Sequence, residues 1–598
     1  MIRRQTPRMS VEVLEARETP AVLYVDPTGA DVNLGTSAAP LQTIQAAANR
    51  ATAGDTVLVR AGTYRGFNSY TSGTAAARIT FQADPNAAPG AVVINLPNER
   101  TNLDGINLEG ASYVTIQGFT VTGQPRAGIR AVINEFTIVR NNVTDSNGRW
   151  GIFTGFSSDL TIENNQASRS KIEHGIYVSN SADRPVIRGN SVFENNGSGI
   201  QLNADVTMGG DGIISNAVIE NNVIRANGAG GGASINLDGV QNSDIRNNKI
   251  ESARATGIAL FRQNGATGSE NNRIVNNTII VDNSLNQSKG RWGIALAGGS
   301  TGNVLSNNVV FSTQSFAGAI SASADSLAGL VSDYNAAENQ FSADGGNTAV
   351  SLAGWSSATG QDQHSVALAT TSALDGLFVN RTAGNYRLVL GSAAIDRGTA
   401  TGAPLTDLEG RARPSGAGVD IGAYEYASIA TPPAPKPPAP TPPTPPAPTP
   451  PAPPAPTPPA PTPPAPTPPA PTPPPPAPTP PAPTPPAPPA PTNTPPTISA
   501  VRNITIAYRS TNSAIAFTIG DLETAAGSLV VGVTSSNPSL IPPTGLSLGG
   551  SGSRRTLMMI PVQNKAGTSV ITLSVTDAAG LTTTTSFVVT VVVPSRRK

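Results

Sequence analysis

The strongest constraint on this chain is a repeat. From Tyr113 to about residue 323 the sequence returns to the same pattern every 23 to 36 residues or so, which is the mark of a solenoid. Two signals define each turn. One is an asparagine pair: Asn141-Asn142, Asn164-Asn165, Asn221-Asn222, Asn247-Asn248, Asn276-Asn277 and Asn307-Asn308, with Gly189-Asn190 in the same place. The other is a Gly-Ile step opening a short strand, at Gly128-Ile129, Gly151-Ile152, Gly175-Ile176, Gly199-Ile200, Gly257-Ile258 and Gly293-Ile294. Alternating Ile and Val turn one face of each strand toward a shared apolar column and the other toward water. Asparagine tolerates the left-handed conformation of a tight bend, and stacked amides can bond from coil to coil, so these asparagines are read as structural. No long segment carries the 3.6-residue period of a helix.

The chain has 598 residues, too many for one ordinary core, and two further regions flank the repeat. Residues 431–496 are almost pure Pro, Ala and Thr in PAPTPP units, a composition that buries nothing and adopts extended polyproline II. At about 3.1 Å per residue this linker could reach roughly 200 Å. Residues 497–594 hold alternating β-rich runs separated by Gly, Pro and Asn turns, at the spacing of a β-sandwich. The fold class expected is all-β: a right-handed parallel β-helix over 22–427, the proline-rich linker, and a C-terminal β-sandwich. A formal net charge of +0 argues against a nucleic-acid partner, and no apolar run reaches the length of a membrane span. The absence of cysteine removes disulfides, thiolate metal sites and a thiol nucleophile.

Several segments resemble known families. Residues 24–64, YVDPTGADVNLGTSAAPLQTIQAAANRATAGDTVLVRAGTY, resemble the N-terminal cap and first coil of bacterial β-helix proteins of the pectate lyase-like, chondroitinase B and alginate lyase group. The resemblance implies a capping helix over Thr43 to Ala51 and a turn at Gly54-Asp55-Thr56. Residues 386–426 are similar to the closing segment of such exported proteins, with Asp396, Asp407, Gly410, Arg413, Asp420, Gly422 and Glu425 at the matching places. The C-terminal region, through GDLETAAGSLVV and VTDAAGLT, resembles immunoglobulin-like or cadherin-like modules of bacterial surface proteins. By that analogy Asp521, Glu523 and Asp577 bind calcium; as acidic residues at turns they serve equally as turn formers. Residues 1–21, with Leu14, Glu15, Arg17, Pro20 and Ala21, look like the short LExR…PA leader of surface proteins in some environmental bacteria. Together these resemblances imply an extracellular or cell-surface location, attachment to the cell envelope, a monomer, and a polysaccharide as partner.

A polysaccharide groove on such a solenoid runs along one exposed sheet, so outward positions on the Gly-Ile strands and the loops before them are the place to look. Arg149 and Trp150 precede one strand. Lys171, Glu173 and His174 precede the next, with Tyr177 facing out, and the following coil offers Gln201, Asn203 and Asp205. Coils stack about 4.8 Å apart, so these residues become neighbours. Lys171 or Arg149 would act as base, His174 as acid or base, and Tyr177 as proton donor to a leaving oxygen, with Trp150, Glu173, Gln201 and Asn203 binding substrate. A solvated charged loop is the competing reading. Trp150 and Trp292 share the string Gly-Arg-Trp-Gly-Ile, which fits either packing at the rung edge or aromatic platforms for sugar rings. Asp205, Asp211 and Asp238 lie on adjacent coils and are candidate ligands for calcium, the one candidate cofactor.

The sequence lacks the paired-aspartate strings of polygalacturonases, the WxDH and RxPxxR of classical pectate lyases, and the QDTL and DFIFG of pectin methylesterases. The Asn, Lys, Arg and acidic motif of the chondroitinase B group does not lie residue by residue on this chain either. Two functions remain: a lyase cutting an acidic polysaccharide by β-elimination, or a non-catalytic surface protein that binds glycans or serves adhesion and structure.

Overall fold

The computed structural model describes residues 20–281, 291–427 and most of 493–592. Nearly all of the leader (1–21) and of the linker (431–496) lies outside the described residues.

Each coil of the large unit contributes three short strands, as in Ile138–Arg140, Val143–Asp145 and Trp150–Gly155. Coil upon coil, these build a first sheet of 12 strands, a second of 12 and a third of 11, every neighbour pairing parallel. The Gly-Ile steps all fall on the third sheet, where Ile129, Ile152, Ile176, Ile200, Ile235, Ile258 and Ile294 stand in one register column with no exposure. Burying each is worth about 1.5–3 kcal/mol relative to leaving it in water, which fixes the register against a one-residue slip.

The bend between the first and second sheets divides each asparagine pair into two roles. The first member takes a left-handed backbone, at φ 56° for Asn141, 54° for Asn164 and 55° for Asn276, with Gly189 at 64° substituting once. The second member points inward and joins a continuous amide ladder: Asn142, Asn165, Asn190, Asn222, Asn248, Asn277, Asn308 and Asn335. Each Nδ2 of the ladder donates to the Oδ1 of the next coil at 3.0–3.1 Å, and nearly every one also reaches a backbone carbonyl of the coil before, as Asn165 does to Val139 at 2.9 Å. Buried polar groups at the bend thereby satisfy one another.

Both ends of the apolar column are closed. At the N-terminal end the helix Ile44–Ala48, started by the Thr43 side chain, buries Ile44, Ala47 and Ala48. Asp55 makes the following turn by accepting from the backbone of Ala21 at 2.8 Å and Thr52 at 2.9 Å. At the other end the helix Leu352–Thr359 inserts Trp355, fully buried and stacked on Phe341 at 5.7 Å.

The coils stop at Val366–Leu368, short of the expected 427. The rest folds back as a flap: Leu374, Leu377, Phe378, Tyr386, Leu388, Ile421 and Ala423 pack on Ile280, Val309 and Phe311 of the second sheet. The closing motif holds this flap. Arg413 and Glu425 form a fully buried pair at 2.5 Å, and Arg413 reaches Asn247 of the solenoid at 3.2 Å. Asp407 accepts from the backbone of Glu409, Arg411 and Glu425.

The C-terminal unit has two four-stranded sheets. One is antiparallel throughout; in the other Ile504–Ala507 runs parallel to Thr582–Val592 while the remaining pairs are antiparallel. Phe517, Leu557, Ile571, Leu573, Phe587 and Val589 fill the space between them as a β-sandwich core. Asp577 accepts from the backbone of Leu581 and from Asn493, and Asp521 from the backbone of Thr524, so both act at turns; Glu523 lies outside the described residues.

Candidate functional site

Because side chains alternate along a strand, the residues next to the buried isoleucines of the third sheet face outward. Their register column reads Asn68, Asn107, Arg130, Phe153, Tyr177, Gln201, Asn236, Ala259, Ala295 and Ser321. Large polar and aromatic groups therefore occupy the N-terminal coils and small ones the C-terminal coils. The candidate cluster sits where the column turns from aromatic to amide.

Trp150 stacks on Phe153 at 4.3 Å and lies 5.9 Å from Tyr177, which meets Phe153 edge-on at 5.4 Å and His174 edge-on at 5.1 Å. Glu173 organises the rim: its Oε2 accepts from Trp150 Nε1 at 2.7 Å, and its Oε1 pairs with Arg149 at 2.9 Å. His174 Nδ1 accepts the Ser198 backbone N–H at 3.0 Å, so the neutral ring carries its proton on Nε2. Burial pulls the imidazole down from 6.5 to about 4 and pushes the Tyr177 phenol above its usual value. At neutral pH His174 is uncharged and Tyr177 is protonated.

The next coils supply amides. Gln201 Oε1 accepts from Ser198 Oγ at 3.1 Å and Asn236 Nδ2 at 2.7 Å, while Asn203 Nδ2 donates to the Tyr177 hydroxyl at 3.2 Å. Beside them is a shallow depression of about 230 Å³ lined by Glu173, His174, Asn196, Gln201, Asn236 and the glycines Gly230, Gly231 and Gly232. At Gly231, with φ at 122°, an added Cβ would meet open space, and the glycine run leaves the depression uncovered.

The structure thus gathers Arg149, Trp150, Glu173, His174, Tyr177 and Gln201 around the N-terminal ends of neighbouring strands of the third sheet, with Asn203 at the far end of its strand reaching them through the Tyr177 hydroxyl. Lys171 is exposed, and among the described residues its ammonium makes no hydrogen bond or ion pair and it lines no part of the depression. The shared Gly-Arg-Trp-Gly-Ile string splits in two: Trp292 is a packing residue, only 6% exposed, whereas Trp150 is half-buried and stacked on Phe153. His364, the other histidine, sits at the end of the first sheet, stacked on Tyr334 with Nδ1 2.6 Å from Asp333.

The calcium set does not assemble. Asp238 is buried and accepts three backbone amides, from Gln263, Asn264 and Gly265 at 2.8–3.1 Å. Asp205 accepts from both the backbone and hydroxyl of Thr207, and Asp211 accepts from the backbone of Ile213. Their oxygens serve loops, and among the described residues no three acidic or imidazole groups gather as a metal site. Phe153, Asn196, Asn236 and the 230–232 glycines were not singled out from sequence. Carrying the strand register across the unequal loops would have found Phe153 and Asn236.

Residues 23–171 match a family model described as Pel9A-like, right handed beta helix region, and residues 104–279 one described as right handed beta helix region. The solenoid is right-handed, as both describe. The uncharacterized protein YwoF of Bacillus subtilis (strain 168) is 25% identical over 213 residues, 30% of this chain and 43% of that protein. The chain thus spans less than half the length of this curated relative. Pectate lyase Pel9A is 19% identical with a TM-score of 0.47, covering 68% of this chain and 97% of its own. A rhamnogalacturonan lyase is 18% identical at a TM-score of 0.36, covering 50% and 84%. The A-module of Azotobacter vinelandii mannuronan C-5 epimerase AlgE6 is 14% identical at 0.39, covering 54% and 93%.

Proposed function

We propose that this chain is an exported polysaccharide-interacting protein that holds a polymer along the outer face of its third sheet. The observation that carries this reading is the aromatic row in which Phe153 and Tyr177, flanked by Trp150 and His174, lead along the register into Gln201 and Asn236. Aromatic faces stack on the apolar faces of sugar rings, and amides bond hydroxyls. The family-model match over residues 23–171 points the same way. The linker acts as a stalk and the sandwich as an immunoglobulin-like or cadherin-like module at the cell envelope. Among the described residues no helix is long and apolar enough to cross a membrane.

Lyase action is the second reading. It is favoured by a phenol held protonated, able to give a proton to a leaving oxygen, beside an imidazole whose Nε2–H can donate to a substrate oxygen. Binding is tested by electrophoresis through gels loaded with a panel of neutral and acidic polysaccharides. Retardation by at least one polymer, lost in Trp150→Ala and Tyr177→Ala with melting unchanged, is the expected result; passage at the same speed through every gel refutes the reading. Lyase action is read from the absorbance of unsaturated product on uronate polymers, with Lys171→Ala and His174→Ala as the variants that should abolish it.

A further inference from the structure

We infer that the polymer held in this groove is uncharged. The inference rests on the polysaccharide reading and names the substrate class of that site. Every guanidinium bordering the aromatic row already has a carboxylate: Arg126 pairs with Asp104 at 2.6 Å, Arg130 with Glu109 at 3.2 Å, and Arg149 with Glu173 at 2.9 Å. The one charged side chain lining the depression is Glu173, an anion. A uronate carboxylate entering there would lose water and meet only guanidinium groups that already hold a carboxylate.

What remains unpaired suits hydroxyls. Among the described residues His174 Nε2–H, the Tyr177 hydroxyl proton, the Gln201 amide N–H groups and Asn236 Oδ1 have no partner, because the bonds these side chains make use their other atoms. Three donors and an acceptor, all neutral, match groups that both give and take hydrogen bonds. The aromatic row supplies the flat apolar surface for ring faces. Lys171 lines no part of the depression, so among the described residues no free cation lines it.

The test compares the full chain on a polygalacturonan in methyl-esterified and saponified forms, together with a panel of neutral glucans, mannans, xylans and galactans, at low and high salt. The expected result is retardation by one or more uncharged polymers, insensitive to salt, with none by the saponified acid. The Glu173→Gln variant keeps an oxygen for Trp150 Nε1 while releasing Arg149. It should gain about tenfold or more in affinity for the acid form, the worth of one charge-assisted hydrogen bond. Tyr177→Phe, which keeps the ring and loses the hydroxyl, should weaken neutral binding without loss of fold. Salt-sensitive retention of the saponified acid by the unaltered protein overturns the inference and leaves the polysaccharide reading in place. Retention by no polymer at all overturns both.

Discussion

Asn164 and Asn165 are chemically identical neighbours, and the structure assigns them unlike energies. Asn165 lies in the amide ladder: its Oδ1 accepts from the Asn142 backbone N–H at 3.0 Å and from Asn142 Nδ2 at 3.1 Å, and its Nδ2 donates to the Val139 carbonyl at 2.9 Å. Asn165→Ala removes one hydrogen bond from each of those three buried groups, of which Asn142 Nδ2 keeps its bond to the Ile116 carbonyl at 3.0 Å. At about 1–2 kcal/mol for each lost bond the loss is about 3–6 kcal/mol. Asn164 is exposed and held at φ 54°, so its contribution is conformational. Asn164→Ala should cost about 1 kcal/mol and Asn164→Gly less than about 0.5 kcal/mol. All 3 tryptophans, Trp150, Trp292 and Trp355, belong to the solenoid, so tryptophan fluorescence during guanidinium unfolding reports on that unit alone. A midpoint for Asn165→Ala indistinguishable from that of Asn164→Ala would show that water satisfies the bend as well as the ladder does, and the reasoning would fail.

Two further outcomes follow from buried charge. The His174 imidazole is pulled from 6.5 to about 4, so between those values the unfolded chain takes up a proton that the folded one refuses. Stability is complete above about pH 6.5 and falls as pH drops toward 4, by at most about 3 kcal/mol; unfolding curves across this window should be flatter in His174→Gln, and an unaltered slope would count against the assignment. Arg413→Met strands the buried Glu425 carboxylate and should cost about 3–5 kcal/mol, releasing the flap to limited proteolysis before the coils are cut; simultaneous loss of both would place the flap inside the cooperative unit.

How far the sequence carries the structure depends on the reach of each signal. The asparagine pair and the Gly-Ile step are local, and each reports one backbone requirement, a left-handed bend and an inward strand, so the solenoid is visible without coordinates. The division of labour inside each pair is not visible, because it depends on which amide meets the coil above. The flap was equally hidden. Its motif of Asp407, Arg413, Asp420 and Glu425 was recognisable as a segment, but its packing on Ile280, Val309 and Phe311 joins residues about a hundred positions apart through a surface that no periodicity announces.

The site shows the same limit in sharper form. Sequence order placed Arg149, Lys171, Glu173, His174 and Tyr177 together, and a reading by residue type made them a set of acids and bases. Geometry changes their chemistry. Glu173 lies between Arg149 and the Trp150 indole, so one carboxylate both neutralises the nearest guanidinium and fixes the aromatic platform. His174 turns one nitrogen to the Ser198 backbone, and burial removes its charge at neutral pH. Lys171, the best base by type, stands outside the depression. Residue types that read as a charged catalytic cluster therefore fold into a surface of rings and amides whose charges, Arg149 and Glu173, are paired with each other, and charge on the ligand is the variable that separates a binder of uncharged glycan from a lyase of uronates.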